Sequence, residues 1–342
     1  MTSLYPPPAA LMTRPVTASE KVVPEARCIS VLSLGSLVKQ LGHLKKGFTF
    51  PIAVSSQVYP AGKTSARGRI DACHSYVHCD RIAVTEAFFK VAKEDRPVYE
   101  KTRITLGAWS QARIDKLLVQ ASRIDGAGSR IAFLSRHFLD TPYGESTLIG
   151  SDGVPEELVV NLAALDCFTF IDYIEAMRLA SSFAEFLKRL REIRYREGVV
   201  SYVSRNHFFT DWKEFNGRLV SDVTAMIGRE RTRQSSKTLN RKTDGSLFLE
   251  GIPARSRAVD YIPSTTIDQD LVDRLHNGDY TGIYTDTDGL DVSHVGIVIK
   301  ESTRVYLRHA SSAGASRRVI DQLFGDYVKE KPGVVVLRPR TI

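Results

Sequence analysis

The chain has few cysteines for its length: among 342 residues there are only Cys28, Cys73, Cys79 and Cys167. A chain this long can bury a sizeable core, and four cysteines are too few for a disulfide scaffold. Cys73 and Cys79 bracket the segment CHSYVHC, which allows either a small disulfide loop or two free thiols. A metal site including His74 and His78 is disfavoured, because four ligands within seven residues have little freedom to form a tetrahedron.

Long apolar runs and several common enzyme motifs are also missing. No stretch approaches the roughly 18 apolar residues of a membrane span, and 43% hydrophobic with 25% charged residues is typical of a soluble globular protein. The sequence contains neither an HExxH zinc motif nor a GxSxG serine motif. The segment AGKTS ends like a phosphate-binding loop, but Gln57 replaces the required first glycine. We therefore expect no metal and no other cofactor.

The chain carries an excess of positive charge, which favours anionic partners. A net charge of +8 favours nucleic acid, an acidic membrane face or an acidic polymer such as bacterial cell wall. From Arg229 to Arg257 there are eight Lys or Arg residues against three acids, with Phe248 as the one aromatic residue. A nucleic-acid site would need aromatic residues for base stacking, so no nucleic-acid partner is expected. We interpret this stretch as a solvated basic loop that could contact an anionic polymer.

The organisation along the chain predicts an α+β protein. Residues 1–65 are rich in Pro, Ser and Ala and indicate a poorly ordered or accessory extension; within them, 45–57 is either a weak signal-like segment or a surface strand. Residues 66–342 form the predicted domain, with helices at about 85–228, a basic loop at about 228–264 and a sheet at about 265–342. Helical periodicity is found at 85–94, 109–124, 129–139, 167–179 and 183–195, and strand patterns at 279–285, 292–300, 304–310, 316–320 and 333–339.

Cys167 is placed where a thiol could be activated. Asp166 is a good N-cap, and the apolar spacing after it predicts a helix that begins at Cys167. A thiol in the first turn of a helix lies at the positive end of the helix dipole, which favours the thiolate and lowers the pKa. The alternative is that Cys167 is a small apolar residue packed in a core.

His294 and His309 lie in two successive predicted strands. If these strands are antiparallel neighbours, both rings can lie on one face of the sheet. A nucleophile, a base and a group that orients the base make up the triad of a cysteine hydrolase. Spacing alone would equally fit two satisfied histidines in a core.

Six motifs in fixed order carry a resemblance to a known family: TPYG, VVNLAALDCFTFIDY, SYVSRNHFFTDW, DYTGIYT, GLDVSHVGIVI and LRHASS. Over residues 105–340 the chain resembles the N-acetylmuramoyl-L-alanine amidase-like branch of the NlpC-type cell-wall cysteine peptidases. The resemblance implies a papain-like α+β fold, with the nucleophile at a helix N-terminus packed on an antiparallel sheet or partial barrel. It implies Cys167 as nucleophile, His294 as base and His309 as the third polar residue.

The resemblance also implies substrate-binding residues, for which ordinary structural roles remain open. Tyr143 and Asp166 match positions that bind the substrate's peptide, although Tyr143 could simply anchor a turn and Asp166 could only cap the helix. The segment SRNHFFTDW belongs to this branch and supplies the candidates for lining the cleft, which are Arg205, His207, Asp211 and Trp212. Trp212 could instead belong to the core, and Arg205 could form a structural pair with Asp211.

The implied activity is hydrolysis of an amide in peptidoglycan, at the bond between N-acetylmuramic acid and L-alanine. The partners would be peptidoglycan or muropeptide fragments, and the location would be periplasmic or secreted. Cleavage within the stem peptide is an alternative. Two other classes are a wall-binding protein without activity, which the complete Cys/His/His set disfavours, and a thiol acyltransferase, which the cell-wall motif order disfavours.

Overall fold

The computed structural model describes residues 101–314 and 316–341. The predicted extension at 1–65, the signal-like segment, the helix predicted at 85–94 and the pair Cys73 and Cys79 all lie outside the described residues. The domain boundary at residue 66 therefore stays a prediction. Across the described ranges, no helix has both the length and the apolar character needed to cross a membrane.

The described chain contains eight α-helices and eleven strands, together with short 3₁₀ turns. The helices are α1 Gln111–Ser122, α2 Ala127–Arg136, α3 Cys167–Arg178, α4 Phe183–Arg194, α5 Phe209–Phe215, α6 Thr224–Gly228, α7 Gln269–Arg274 and α8 Phe324–Val328. The strands are β1 Thr102–Thr105, β2 Ile149–Ser151, β3 Val154–Asn161, β4 Val220–Asp222, β5 Arg233–Leu239, β6 Arg255–Pro263, β7 Tyr280–Tyr284, β8 Val292–Glu301, β9 Arg304–Ala310, β10 Val319–Leu323 and β11 Gly333–Pro339.

A large antiparallel sheet forms the second half of the described chain. Its strand order is β10-β9-β8-β7-β11-β6-β5, and β4 pairs with β11. Every one of these pairings is antiparallel. The α+β class and the antiparallel sheet are confirmed, while the sheet stays open, with β10 and β5 at its edges, and does not close into a barrel.

The predicted basic loop at 228–264 contains two strands, β5 and β6, which corrects the sequence interpretation. β5 pairs with β6 over the whole length of β5, from Arg233 opposite Tyr261 to Leu239 opposite Arg255. Part of the positive charge is neutralised, since Arg255 and Arg257 both donate to Asp211. The polar sequence RQSSKTL hid the strand because β5 is a mostly exposed edge strand with little apolar alternation.

A second, smaller sheet lies within the region predicted to be helical. β3 runs parallel to β1 and antiparallel to β2.

Near the other end of the chain, β10 lies further towards the C-terminus than predicted. It continues to Leu323, because Asp321 and Gln322 pair with Arg308 and Leu307 of β9. The helix that follows is accordingly the short α8.

Helix α3 is the centre of the fold and is buried on nearly all sides. It packs against α4 and against β8 of the large sheet. Its charged groups have partners inside the core: Glu175 binds Arg178, with N···O distances of 2.6 Å, and accepts from the Tyr280 hydroxyl at 2.7 Å. Because buried charges are tolerated only when paired, this network fixes the position of the helix that begins at Cys167.

Candidate active site

Cys167 is the first residue of α3, and a capping box holds the start of that helix. Asp166 Oδ1 accepts from the backbone N–H groups of Phe168, at 3.0 Å, and Thr169, at 2.7 Å. In return, the backbone N–H of Asp166 donates to Thr169 Oγ1 at 3.0 Å. Asp166 is therefore confirmed as the N-cap, and it leaves the backbone N–H of Cys167 outside its cap bonds.

The two histidines form a direct hydrogen bond on one face of the large sheet. Val298 and Leu307 are directly opposite each other in β8 and β9, and steps of two residues along each strand lead to His294 and His309 on that same face. Nε2 of His294 lies 2.7 Å from Nδ1 of His309. The two rings are nearly perpendicular, at 89°. The antiparallel pairing of β8 and β9 meets the condition under which the sequence allows both rings to lie on one face.

The thiol lies beside the strand that carries His294. Burial raises the pKa of the Cys167 thiol, and three backbone N–H groups oppose this: that of Val295, the residue after His294, and those of Cys167 and Phe168 at the helix start. α3 packs directly on β8. The nucleophile candidate and the base candidate are thus on adjacent, mutually packed elements.

Two tyrosines are close to the thiol. Burial raises the pKa of Tyr143, and the neighbouring Cys167 and Asp166 raise it further. Burial likewise raises the pKa of Tyr327, with a further contribution from Cys167. The Tyr327 ring centroid is 4.8 Å from that of His309 and 6.1 Å from that of His294. Tyr327 was missed from the sequence, because an aromatic residue in a short amphipathic helix is more often a core residue.

Burial decides the protonation of the resting site. It raises the pKa of the Cys167 thiol, the Asp166 carboxylate adds to this effect, and the three backbone N–H donors oppose it incompletely. Burial also holds the pKa of His294 well below its usual range and lowers that of His309 to about 4. The resting pair at pH 7 is a neutral thiol and a neutral imidazole. The lowered thiol pKa expected from the helix dipole is therefore wrong, because desolvation outweighs it.

We expect Cys167 to be alkylated slowly at pH 7 and progressively faster above about pH 9, because only the thiolate reacts and burial disfavours it. The measurement is the rate of iodoacetamide labelling of the Cys167 peptide by mass spectrometry, from pH 5 to 10. The same peptide in the urea-unfolded chain is the control, and its labelling rate should follow a thiol pKa of about 8.5. A rate that is already at its plateau below pH 7 would show a resting thiolate instead.

Arg205 and His207 form a separate, half-buried cluster around Tyr202. Arg205 binds Glu156 at 3.0 Å, and its guanidinium lies 5.2 Å from the centre of the Tyr202 ring. His207 Nε2 lies 2.7 Å from the Tyr202 carbonyl oxygen, and burial, aided by Arg205, lowers the His207 pKa to about 3. The structural pair suggested between Arg205 and Asp211 does not form.

Asp211 and Trp212 make structural contacts at the start of α5. Asp211 accepts from Arg255 at 3.0 Å and also from Arg257. Trp212 is fully buried, and its Nε1 donates to Asp172 of α3 at 2.9 Å. Trp212 thus has the position of a core residue rather than of a cleft wall. The structure places Tyr143 near Cys167 and Asp166, pairs His294 with His309 on the two strands β8 and β9, and gives the four SRNHFFTDW residues other partners.

No three or more His, Cys, Asp or Glu side chains within 101–314 and 316–341 are arranged to hold a metal ion. The chemistry available at the site is that of a thiol, an imidazole relay and backbone N–H donors.

A model of an amidase-like family matches residues 133–334 of this chain. The chain therefore belongs to the N-acetylmuramoyl-L-alanine amidase-like, or AmiA-like, family. No curated protein was found to be similar to it.

Several solved structures share the fold. An N-acetylmuramoyl-L-alanine amidase from Bacteroides uniformis is 29% identical, with a TM-score of 0.55 over 63% of this chain and 99% of that one. A Bacteroides fragilis protein provisionally described as a xylanase is 30% identical, with a TM-score of 0.51 over 60% and 98%. A DUF1460 protein from Legionella pneumophila is 22% identical, with a TM-score of 0.58 over 68% and 94%, and shows the fold alone.

Proposed function

We propose that this protein is a cysteine-dependent hydrolase of bacterial peptidoglycan that cleaves the amide between N-acetylmuramic acid and L-alanine. The observations that support the proposal are that Cys167 begins α3, that α3 packs on β8, and that His294 of β8 forms a hydrogen bond with His309, in a chain of the amidase-like family. We assign the fold to the papain-like, NlpC-type superfamily on the same basis, since this fold and that superfamily both have a thiol in the first turn of a helix that packs on an antiparallel sheet.

Acylation begins with the neutral pair. His294 Nε2 is occupied by His309, so Nδ1 is the ring nitrogen left to accept the proton of Cys167. The sulfur attacks the carbonyl carbon of the lactyl group, and the backbone N–H of Cys167 donates to the oxyanion that forms. The N–H of Val295, which acts to lower the pKa of the thiol, stabilises negative charge there until the S–C bond is made.

Acylation ends with loss of the amine, and deacylation then returns the enzyme to its starting state. To complete acylation, the imidazolium of His294 protonates the amino nitrogen of L-alanine, the C–N bond breaks, and a muramoyl thioester remains on Cys167. His294 then accepts a proton from water, which attacks the thioester, and the thiolate leaves and is reprotonated. His309 orients the His294 ring throughout. Tyr143 and Asp166 bind the peptide portion of the substrate in this proposal.

The test is digestion of purified muropeptides and of intact sacculi, with products identified by mass spectrometry. Release of free stem peptides and unsubstituted N-acetylmuramic acid is the expected result. New amino termini within the stem would instead identify an endopeptidase. Binding to sacculi without any release would identify a wall-binding protein, and release of reducing sugars from xylan would favour the activity named for the Bacteroides fragilis relative.

The substrate also implies a location. Peptidoglycan lies outside the bacterial cytoplasmic membrane, so we propose that the protein acts in the periplasm or after secretion.

A further inference from the structure

The hydrogen-bonded chain that begins at His294 continues beyond His309. His309 Nε2 lies 2.7 Å from Oε1 of Gln322, the same distance that separates the two histidine rings. Gln322 is exposed and lies on β10, the edge strand, whereas His309 is only 1% exposed. The chain therefore runs from the buried site to the edge of the sheet and ends on a neutral amide.

Strand register holds Gln322 in this position. Ile320 of β10 is directly opposite His309 of β9, so Gln322, two residues further on, is a diagonal neighbour on the same face. On the opposite face, Arg308 binds both carboxylate oxygens of Asp321, at 2.8 and 2.7 Å. That ion pair fixes the edge strand to β9 at the residue immediately before Gln322.

The direction of each hydrogen bond follows from the acceptor at the end. An amide oxygen can only accept, so His309 carries its proton on Nε2 and presents a lone pair at Nδ1. His294 must then donate from Nε2, and its own lone pair is at Nδ1. This tautomer is the one in which His294 can take a proton from Cys167.

We propose that Gln322 is a positioning residue that fixes the tautomers of both histidines, so that the base is aligned and unprotonated at Nδ1. The inference rests on the proposed function, because it assigns a role to Gln322 in that same reaction. An amide suits this role better than a carboxylate, because it accepts the bond without favouring a charged His309. Three other groups act on the pair: Asp321, from the opposite face of the sheet, raises the pKa of His309, Lys331 lowers the pKa of both histidines, and the Tyr327 ring contacts both rings.

Two substitutions separate positioning from simple structural support. Gln322→Met removes the acceptor at similar volume and should lower kcat about three- to tenfold at every pH, the equivalent of one neutral hydrogen bond. Gln322→Glu keeps the acceptor but stabilises a protonated His309, which donates from Nδ1 and forces the proton of His294 onto its Nδ1. The Glu variant should therefore keep the wild-type alkaline plateau and show an acid limb about one to two pH units higher.

The experiment measures kcat and KM for muropeptide hydrolysis from pH 4 to 9, with Gln120→Glu as a control that adds the same charge at an exposed position of α1. Thermal unfolding of each variant checks that it is folded. If both Gln322 variants retain the wild-type rate and pH profile, or if both lose activity equally at all pH values, the positioning role is overturned. Failure of the proposed function is a separate outcome, because the wild-type protein would then show no hydrolysis at all.

Discussion

Replacement of Cys167 by alanine is expected to lower the rate of muropeptide hydrolysis by at least about 10³-fold, because no other group at the site can form the covalent intermediate. Cys167 is 0% exposed and packs in the main core, so the substitution removes one buried sulfur and leaves the capping box of α3 intact. Folding should be preserved with a small decrease in Tm. The measurements are the rate of stem-peptide release and the thermal unfolding curve.

The matched control retains Cys167 and replaces Cys28, Cys73 and Cys79 by alanine. This triple variant should hydrolyse muropeptides at about the wild-type rate and should show acyl-enzyme only on the Cys167 peptide. Hydrolysis by Cys167→Ala at the wild-type rate would remove the thiol from the mechanism, while leaving membership of the family untouched.

Helix α3 and its N-cap could be predicted from the sequence because the determinants are local. Asp166 followed by Thr169 is a capping pair within four residues, and its hydrogen bonds are present. The pairing of His294 with His309 could be predicted for a related reason. Two successive strands of a hairpin have a short connection, and the alternation of side chains along each strand decides which residues share a face. These predictions needed only neighbours in sequence.

The protonation of the site could not be predicted in this way. The helix dipole acting on Cys167 is visible in the sequence, but the desolvation that opposes it comes from β8, from the segment around Tyr143 and from α8, which are far apart in the chain. The role of Gln322 could not be predicted because the end of β10 depends on pairing with β9. The polar strands β5 and β1 were not predicted because their side chains are largely exposed and show little apolar alternation.

Trp212 illustrates how a family motif and a core position overlap. The family resemblance assigns its motif, SRNHFFTDW, to the lining of the cleft. The indole of Trp212 nevertheless donates to Asp172, which in turn binds Arg194 at 2.8 Å. Arg194 also donates to the Val159 carbonyl oxygen at 2.6 Å. The buried carboxylate of Asp172 therefore connects α3 directly to Arg194 of α4 and to Trp212 of α5. Arg194 extends this network to β3.

Replacement of Arg194 by methionine should accordingly lower the free energy of unfolding by about 3–5 kcal/mol, because it leaves Asp172 as an uncompensated charge in the core. Both side chains are nearly inaccessible, at 1% and 2% exposure. Urea denaturation provides the measurement. Arg189→Met on the same helix is the matched control: Arg189 pairs with Glu192 at 37% and 41% exposure, and its loss should cost less than about 1 kcal/mol.

The double variant Asp172→Asn with Arg194→Met distinguishes an uncompensated charge from lost packing. Asparagine can still accept from Trp212 and carries no charge, so the double variant should be more stable than Arg194→Met alone, a non-additivity expected for contacting residues. If Arg194→Met costs no more than Arg189→Met, or if Asp172→Asn brings no recovery, the buried pair does not anchor α3 as described. Since the start of that helix positions Cys167, the single variant should also lose hydrolytic activity at temperatures where the control variant retains it.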